Sequence, residues 1–340
     1  MIPPSFPASF PRSLGGVEVD NPVWLAPLAG ITVPALRRFH RRLGAGLAHT
    51  EMVSALGLAY RGRKTRELLT VLEGEGPLAA QLFGPDAPSL AEGARLTLAV
   101  HPFQALEINM ACPMPKVARK GAGAALLERP DEAVRAVRSC AALGVPLWVK
   151  VRLLPGGAAT ATARFCEALL DAGAAFLLVH GRTPGQRYEG TADRDAVCAL
   201  ARLYPGLLGA SGDLFTPEDA RAYLEGGCAS VLVARGLLKD PLLVPRILEE
   251  LGFPLPLGGG GRRNPREALL ELGDDLFLRE GERTALLLAK RMVAGWFRGG
   301  HGAAERRHRA VLTRDWASLR KQIQEWPDRE ELDRPPRIEG

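Results

Sequence analysis

The chain has no CxxC pair; its five cysteines, at 112, 140, 166, 198 and 228, stand far apart and are odd in number. That argues against a disulfide scaffold or a zinc knuckle and for reduced thiols in a reducing compartment. No apolar run approaches the roughly 20 residues of a membrane span. The N-terminus carries no basic segment followed by an apolar stretch, so a cytoplasmic protein without membrane contact is expected. A GxGxxG turn for a stably held dinucleotide is also missing. No metal site is read from the pattern, and nothing in it fixes an oligomeric state beyond the expectation of a monomer. With 46% hydrophobic and 24% charged residues, the composition excludes a disordered or fibrous chain.

What the chain does have is a repeated alternation. Short apolar runs at 23–28, 47–52, 78–83, 105–110, 147–152, 175–180, 207–210 and 230–234 read as strands. Helical composition lies between them at 34–43, 87–100, 131–143, 161–172, 193–203 and 217–225. Near-continuous apolar strands separated by helices imply parallel pairing with both faces covered. Eight such units predict an α/β fold, a closed (β/α)8 TIM barrel over residues 1–252. Thr216-Pro217-Glu218-Asp219 reads as a helix start, with a cap, a proline in the first turn and two carboxylates at the positive dipole end. Pro254, Pro256 and the glycine run 258–261 read as a hinge. Beyond it, 265–278, 282–297 and 303–326 have helical composition, which predicts a small C-terminal helical domain over 262–340.

In such a barrel the chemistry sits at the strand C-termini. Those ends carry Pro27 and Leu28, Glu51, Gln81, Asn109 with Cys112, Lys150 with Arg152, His180 with Arg182, Ser211-Gly212-Asp213 and Ala234-Arg235-Gly236. Cys112 differs from the other cysteines because Pro113 and Pro115 end the strand and hold it on a rigid loop. The other four, in Ala/Leu-rich stretches, read as small buried hydrophobes. The last two strand-end segments suit a phosphate, with glycines for close approach and Arg235 as a planar donor. For Lys150 two readings stand: a buried ion pair with Glu107 or Glu51, or a cation facing an electron-rich ring. His180 is either a satisfied core histidine or a donor to such a ligand.

Net charge is +6, and it is unevenly spread. Between Arg283 and Lys321 ten basic residues face only Glu305 and Asp315. Alone, such a run is as consistent with a solvated helical face as with an anionic partner. A second cluster, Arg37, Arg38, Arg41, Arg42, Arg61, Arg63, Lys64 and Arg66, follows the first two strands.

Taken in order, Ala26 to Thr32, Gln81 to Gly84, Ile108 to Val117 with Gly123 to Leu127, Val149 to Arg152, Val179 to Thr183, Ser211 to Asp213 and Ala234 to Gly236 resemble the bacterial tRNA-dihydrouridine synthase family. The resemblance implies an FMN over the barrel mouth, backed by Pro27, Leu28 and Ala29. Gln81 and Lys150 would bond its ring, and His180, Ser211, Gly212, Asp213, Ala234 and Arg235 would hold its ribityl phosphate. Cys112 matches the family's proton donor, giving a proton to uracil C5 while reduced FMN delivers hydride to C6 and NADPH restores the flavin. A thiol of ordinary pKa, roughly 8.5, arrives protonated at neutral pH, as a general acid must. The substrate, tRNA or another structured RNA, would meet Asn109, Arg152 and Arg182 at the barrel and Lys290 and Arg291 in the basic run, with Trp296, Phe297 and Trp316 interleaved. Four positions depart from the family pattern: Ser211 for Asn, Val33 for Asp, Ala111 for Gly and Ala234 for Gly. Two other classes compete: an FMN barrel acting on a free small molecule, as dihydroorotate dehydrogenase relatives do, and an RNA-binding protein whose flavin site has decayed. The basic helical appendix opposes the first, and only Ser211 and Val33 favour the second.

Overall fold

A computed structural model describes residues 10–156, 159–256, 264–298 and 302–326. Eight parallel strands form the barrel: β1 (Val23–Leu25), β2 (Ala48–His49), β3 (Leu78–Phe83), β4 (Ala105–Met110), β5 (Leu147–Arg152), β6 (Phe176–His180), β7 (Leu208–Ser211) and β8 (Ser230–Val233). Neighbours pair in chain order from β2 to β8, β8 pairs β1, and a parallel bridge from Trp24 to Leu47 closes the ring. Helices follow the strands: α1 (Pro34–Arg42), α2 (Ala55–Ala59), α3 (Ala87–Leu98), α4 (Pro130–Ala141), α5 (Ala159–Asp171), α6 (Arg194–Leu203), α7 (Pro217–Glu225) and α8 (Leu243–Glu250). Every barrel strand is buried along nearly its whole length, as expected of a sheet covered by helices outside and side chains within.

The second strand departs from the sequence reading. Instead of one run over 47–52 there are two short pieces, Ala48–His49 and Val53–Ser54, both paired to β3. Between them three residues, Thr50 to Met52, face only Ala80 and Gln81, so the strand bulges. Thr50 keeps the ladder closed with its own hydroxyl, which accepts from the Gln81 N–H at 3.0 Å. The bulge turns Met52 toward the barrel mouth.

The barrel floor is aromatic. Trp24 and Trp148 stack with centroids 5.1 Å apart, with Phe176 tilted against both. A hairpin of Ser13–Leu14 with Val17–Glu18, too short to show a period in sequence, plugs this end, and Gly15 O accepts from Trp148 Nε1.

Four helices follow: α9 (Pro265–Glu280), α10 (Glu282–Trp296), α11 (Ala303–Leu312) and α12 (Trp316–Gln324). The expected single helix over 303–326 is broken before Asp315, whose carboxylate caps α12 through the Ser318 N–H at 2.7 Å. The glycine run 258–261 of the expected hinge, the start of the expected barrel domain (1–9), and the first and last residues of the expected helical domain (262–263 and 327–340) lie outside the described residues. This helical segment shares a core with the barrel, since Leu36 and Phe39 of α1 and Leu43 just after it pack among Leu269, Leu272, Met292 and Trp296. Trp296 and Trp316 are buried in that core and Phe297 packs against it, so the aromatics expected to interleave an RNA face are structural.

The second basic cluster divides into two parts. Arg37 is fully buried against Glu75, Arg38 pairs with Asp275, and Arg42 bonds Glu271 at 2.7 Å. Arg41 reaches the Gly76 carbonyl. These arginines hold the fold together, whereas Arg61, Arg63, Lys64 and Arg66 are exposed.

Candidate active site

Ladder register brings the site together. Asn109 lies opposite Lys150, Arg152 opposite His180, and His180 opposite Ser211, so four adjacent strands present these side chains at one end. They surround a cavity of about 190 Å³ lined also by Pro27, Leu28, Ala29, Cys112, Gly212, Asp213, Ala234 and Arg235. Met52, Tyr188, Leu214 and Phe215 also line it and were not singled out from sequence. Met52 depends on the bulge. Tyr188 lies in the loop after β6 and has no periodic signal.

The Cys112 loop is held from three sides. Asn109 Oδ1 accepts the backbone N–H groups of Ala111, at 3.0 Å, and Cys112, at 2.9 Å. Arg152 Nε donates to the Ala111 carbonyl at 2.6 Å. The Cys112 carbonyl accepts from Ala124 N–H, and the turn that delivers it requires Gly123, at φ +62°, where a Cβ would stand 2.7 Å from that same oxygen. Ala111 takes no positive φ, so its methyl costs no backbone strain. Burial pushes the Cys112 thiol upward, with the Met114 N–H and Arg152 opposing, so the sulfur keeps its proton at neutral pH.

Two polar atoms facing this cavity have no partner within the protein: Lys150 Nζ and His180 Nδ1. A buried polar group left unbonded costs roughly 1–3 kcal/mol, so an unpaired ammonium and imidazole here mark a place for a ligand. Lys150 forms neither of the ion pairs open to it on sequence. Burial pulls its pKa down to about 8, Arg152 adds to that, and Glu107 works against it. His180 is pulled down to about 2, chiefly by burial, and is therefore neutral.

Next to His180, after Ser211, Gly212 takes φ +125°, and Asp213 follows at φ +47°. Asp213 accepts from Arg182 Nη1 and Nη2 at 2.9 and 2.6 Å, from Arg235 Nη2 at 2.8 Å and from Ala192 N–H at 2.8 Å. Its carboxylate is fully engaged and, being anionic, has no donor for a phosphate; it orients Arg235 instead. Arg182 is 2% exposed and stands behind Asp213 rather than in the cavity wall. Gln81 is likewise withdrawn: its side chain is fully buried, bonding Glu107 and receiving Asn109 Nδ2 at 2.9 Å. Lys290 and Arg291 lie on α10, away from the cavity lining. Tyr188 is half-exposed at the mouth, with the guanidinium carbons of Arg152 and Arg235 at 5.5 and 5.4 Å from its ring centre. Among the described residues no group of three or more His, Cys, Asp or Glu is placed to hold a metal, and no helix is long and apolar enough to cross a membrane.

Residues 24–251 match the family model described as Dihydrouridine synthase (Dus). The chain belongs to the dihydrouridine synthase family. Among its relatives in that family, the "Probable tRNA-dihydrouridine synthase" of Treponema pallidum is 31% identical over 323 residues, covering 91% of this chain and 94% of that protein. The tRNA-dihydrouridine synthase B of Pseudomonas aeruginosa is 33% identical over 292 residues, covering 84% and 86%. Solved structures share the dihydrouridine synthase barrel at low identity. One, TcOYE with pHBA, has a TM-score of 0.51 at 15% identity over 72% of this chain and 92% of that one. Another, morphinone reductase in complex with tetrahydroNAD, has a TM-score of 0.50 at 15% identity over 71% and 90%.

Proposed function

We propose that this dihydrouridine synthase reduces uridine to 5,6-dihydrouridine in tRNA, using FMN in the cavity and NADPH as reductant. The observation that carries the reading is the meeting of a protonated thiol, Cys112, with two unpartnered buried donors, Lys150 Nζ and His180 Nδ1, around one cavity. Those residues fit a flavin: Pro27, Leu28 and Ala29 give an apolar backing, Lys150 a cation for the ring, and Ser211, Gly212 and Arg235 a phosphate end. FMN, when bound, supplies the hydride that reduces C6 of the base.

The protein supplies the rest. Cys112 Sγ–H gives its proton to C5, and Asn109 and Arg152 fix the loop that aims it. Lys150 stabilises negative charge on the ring. Tyr188, flat and half-exposed between two guanidinium groups, offers a surface against which an extruded base rests. Extrusion of that base costs a few kcal/mol of stacking, offset by these contacts and by phosphate binding. The helical segment from Pro265 onward, with its exposed basic residues, serves the RNA.

The purified protein should be yellow and release FMN on denaturation. Cys112→Ala should retain FMN and NADPH oxidation but form dihydrouridine at least about 100-fold more slowly, the scale of a lost general acid. Mass spectrometry of tRNA incubated with each form measures this; unchanged dihydrouridine formation would refute the acid role.

A further inference from the structure

Below the cavity runs a buried hydrogen-bond chain whose direction is fixed by its upper end. Because Asn109 Oδ1 accepts two backbone N–H groups, its Nδ2 must donate, and it does so to Gln81 Oε1. Gln81 therefore turns its own Nε2 onto Glu107 Oε1. The other carboxylate oxygen, Glu107 Oε2, stands 2.9 Å from His49 Nε2. His49 Nδ1 lies 2.7 Å from the Leu25 carbonyl, which can only accept, so Nδ1 carries a hydrogen. Two lone pairs at 2.9 Å would repel, so the pair holds a proton, although neither Nε2 nor Oε2 has an aligned hydrogen bond and the contact is an ion pair. His49 and Glu107 together are neutral, and both are fully buried.

That leaves Lys150 as a buried cation acted on by a carboxylate, Glu107, that bonds Gln81 through one oxygen and is ion-paired to His49 through the other. We propose that His49 is a positioning residue: by neutralising Glu107 it leaves the ammonium of Lys150 uncancelled, and so available to an anion in the cavity. The inference rests on the flavin reading above, in which that anion is the reduced ring. Without His49, Glu107 becomes the counter-ion of Lys150, either by direct pairing or through space in a medium that screens poorly. Glu107 already acts on Lys150 electrostatically, opposing the effect of burial.

The test uses the FMN-loaded protein and reads the ratio of its affinities for reduced and oxidised FMN, which appears as the midpoint potential of the bound flavin. His49→Gln keeps a neutral donor toward Glu107 and so preserves the fold while removing the cation. It should lower the ratio by about tenfold or more, a shift to more negative potential. The pair His49→Gln with Glu107→Gln removes both charges and should restore the wild-type value. A purely structural role for His49 would leave the double variant at least as impaired as the single one. An unchanged potential in His49→Gln, or no rescue in the double variant, overturns the proposal while FMN binding stands. A wild-type protein that binds no FMN overturns the flavin reading itself, and this inference with it.

Discussion

At the scale of single residues, the site depends on which polar groups are already committed. Asn109, Gln81 and Asp213 have their bonds made inside the protein and Glu107 is paired with His49, whereas Lys150 and His180 each keep an atom unpartnered toward the cavity. A lysine held near 8 by burial gives a directional pH effect. Below that value the ammonium is present and can stabilise the reduced ring; above it the charge is lost. Steady-state kcat/KM for uridine reduction should therefore fall on the alkaline side near pH 8. In Lys150→Arg, whose guanidinium stays charged, that limb should vanish even if the overall rate is lower. A limb unmoved by the substitution would assign it to another group. Much of this was legible in the chain, because Cys112, Lys150, His180 and Arg235 each stand at the end of a recognisable strand. The engagement of Gln81 and Arg182 was not, since their partners are set by strand register and by a loop that closes from elsewhere.

Among the elements, the contact that matters most to the site lies between α10 and the short turn Arg235–Leu238. Trp296 Nε1 donates to the Leu237 carbonyl at 2.8 Å. One residue earlier, Gly295 packs so closely that a Cβ there would lie 1.7 Å from Leu238 O. Backbone cannot yield that far, so Gly295→Ala must push α10 off the turn that begins with Arg235. The expected result is a lower unfolding midpoint together with weaker FMN binding, measured by chemical denaturation and by flavin fluorescence. Lowered stability with wild-type FMN affinity would mean that the turn holds its shape without α10. The N-terminus of α1 adds a second link. Val33 provides no side-chain cap, and Glu280 of α9 accepts from Ala35 N–H at 3.1 Å instead. The departure from Asp at Val33 thus coincides with a cap supplied from another element, and Val33 packs against the shared core. Helices with strong periodicity and caps, such as α7 with its Thr216–Asp219 capping box, could be read from sequence. The bulge in β2 and the hairpin plug could not, because segments of two residues carry no period.

For the molecule as a whole, two buried histidines shape its response to acid. Burial holds His40 at about 3 and His180 at about 2, against 6.5 for each in an unfolded chain. Below about pH 6.5 the unfolded state therefore binds protons that the FMN-free fold refuses, and stability falls with pH by about 1.4 kcal/mol per unit for each histidine. Both ring nitrogens of His40 lack partners, so His40→Leu removes one of these liabilities. Unfolding measured between pH 7 and 5 should show a shallower loss in the variant, and parallel curves would reject the assignment. The larger question is charge on the surface. Arg37, Arg38, Arg42 and Arg320 are engaged by carboxylates and Arg307 by the Phe297 carbonyl, so much of the basic charge is already bonded within the protein. Exposed basic residues include Arg61, Lys64 and Arg66 after β2, and Arg291, Arg309 and Arg314 on the helical segment. If both groups meet phosphates, RNA affinity should decline linearly with salt on a logarithmic plot, and each lost contact should reduce the slope by about 0.7–0.9. Replacing Arg291, Arg309 and Arg314 with Gln should flatten the slope and weaken binding together. Replacing Arg61, Lys64 and Arg66 should do the same, and the two sets should add because they lie on separate elements. A set whose removal leaves the slope unchanged is a solvated face, and the RNA path then follows the other set alone.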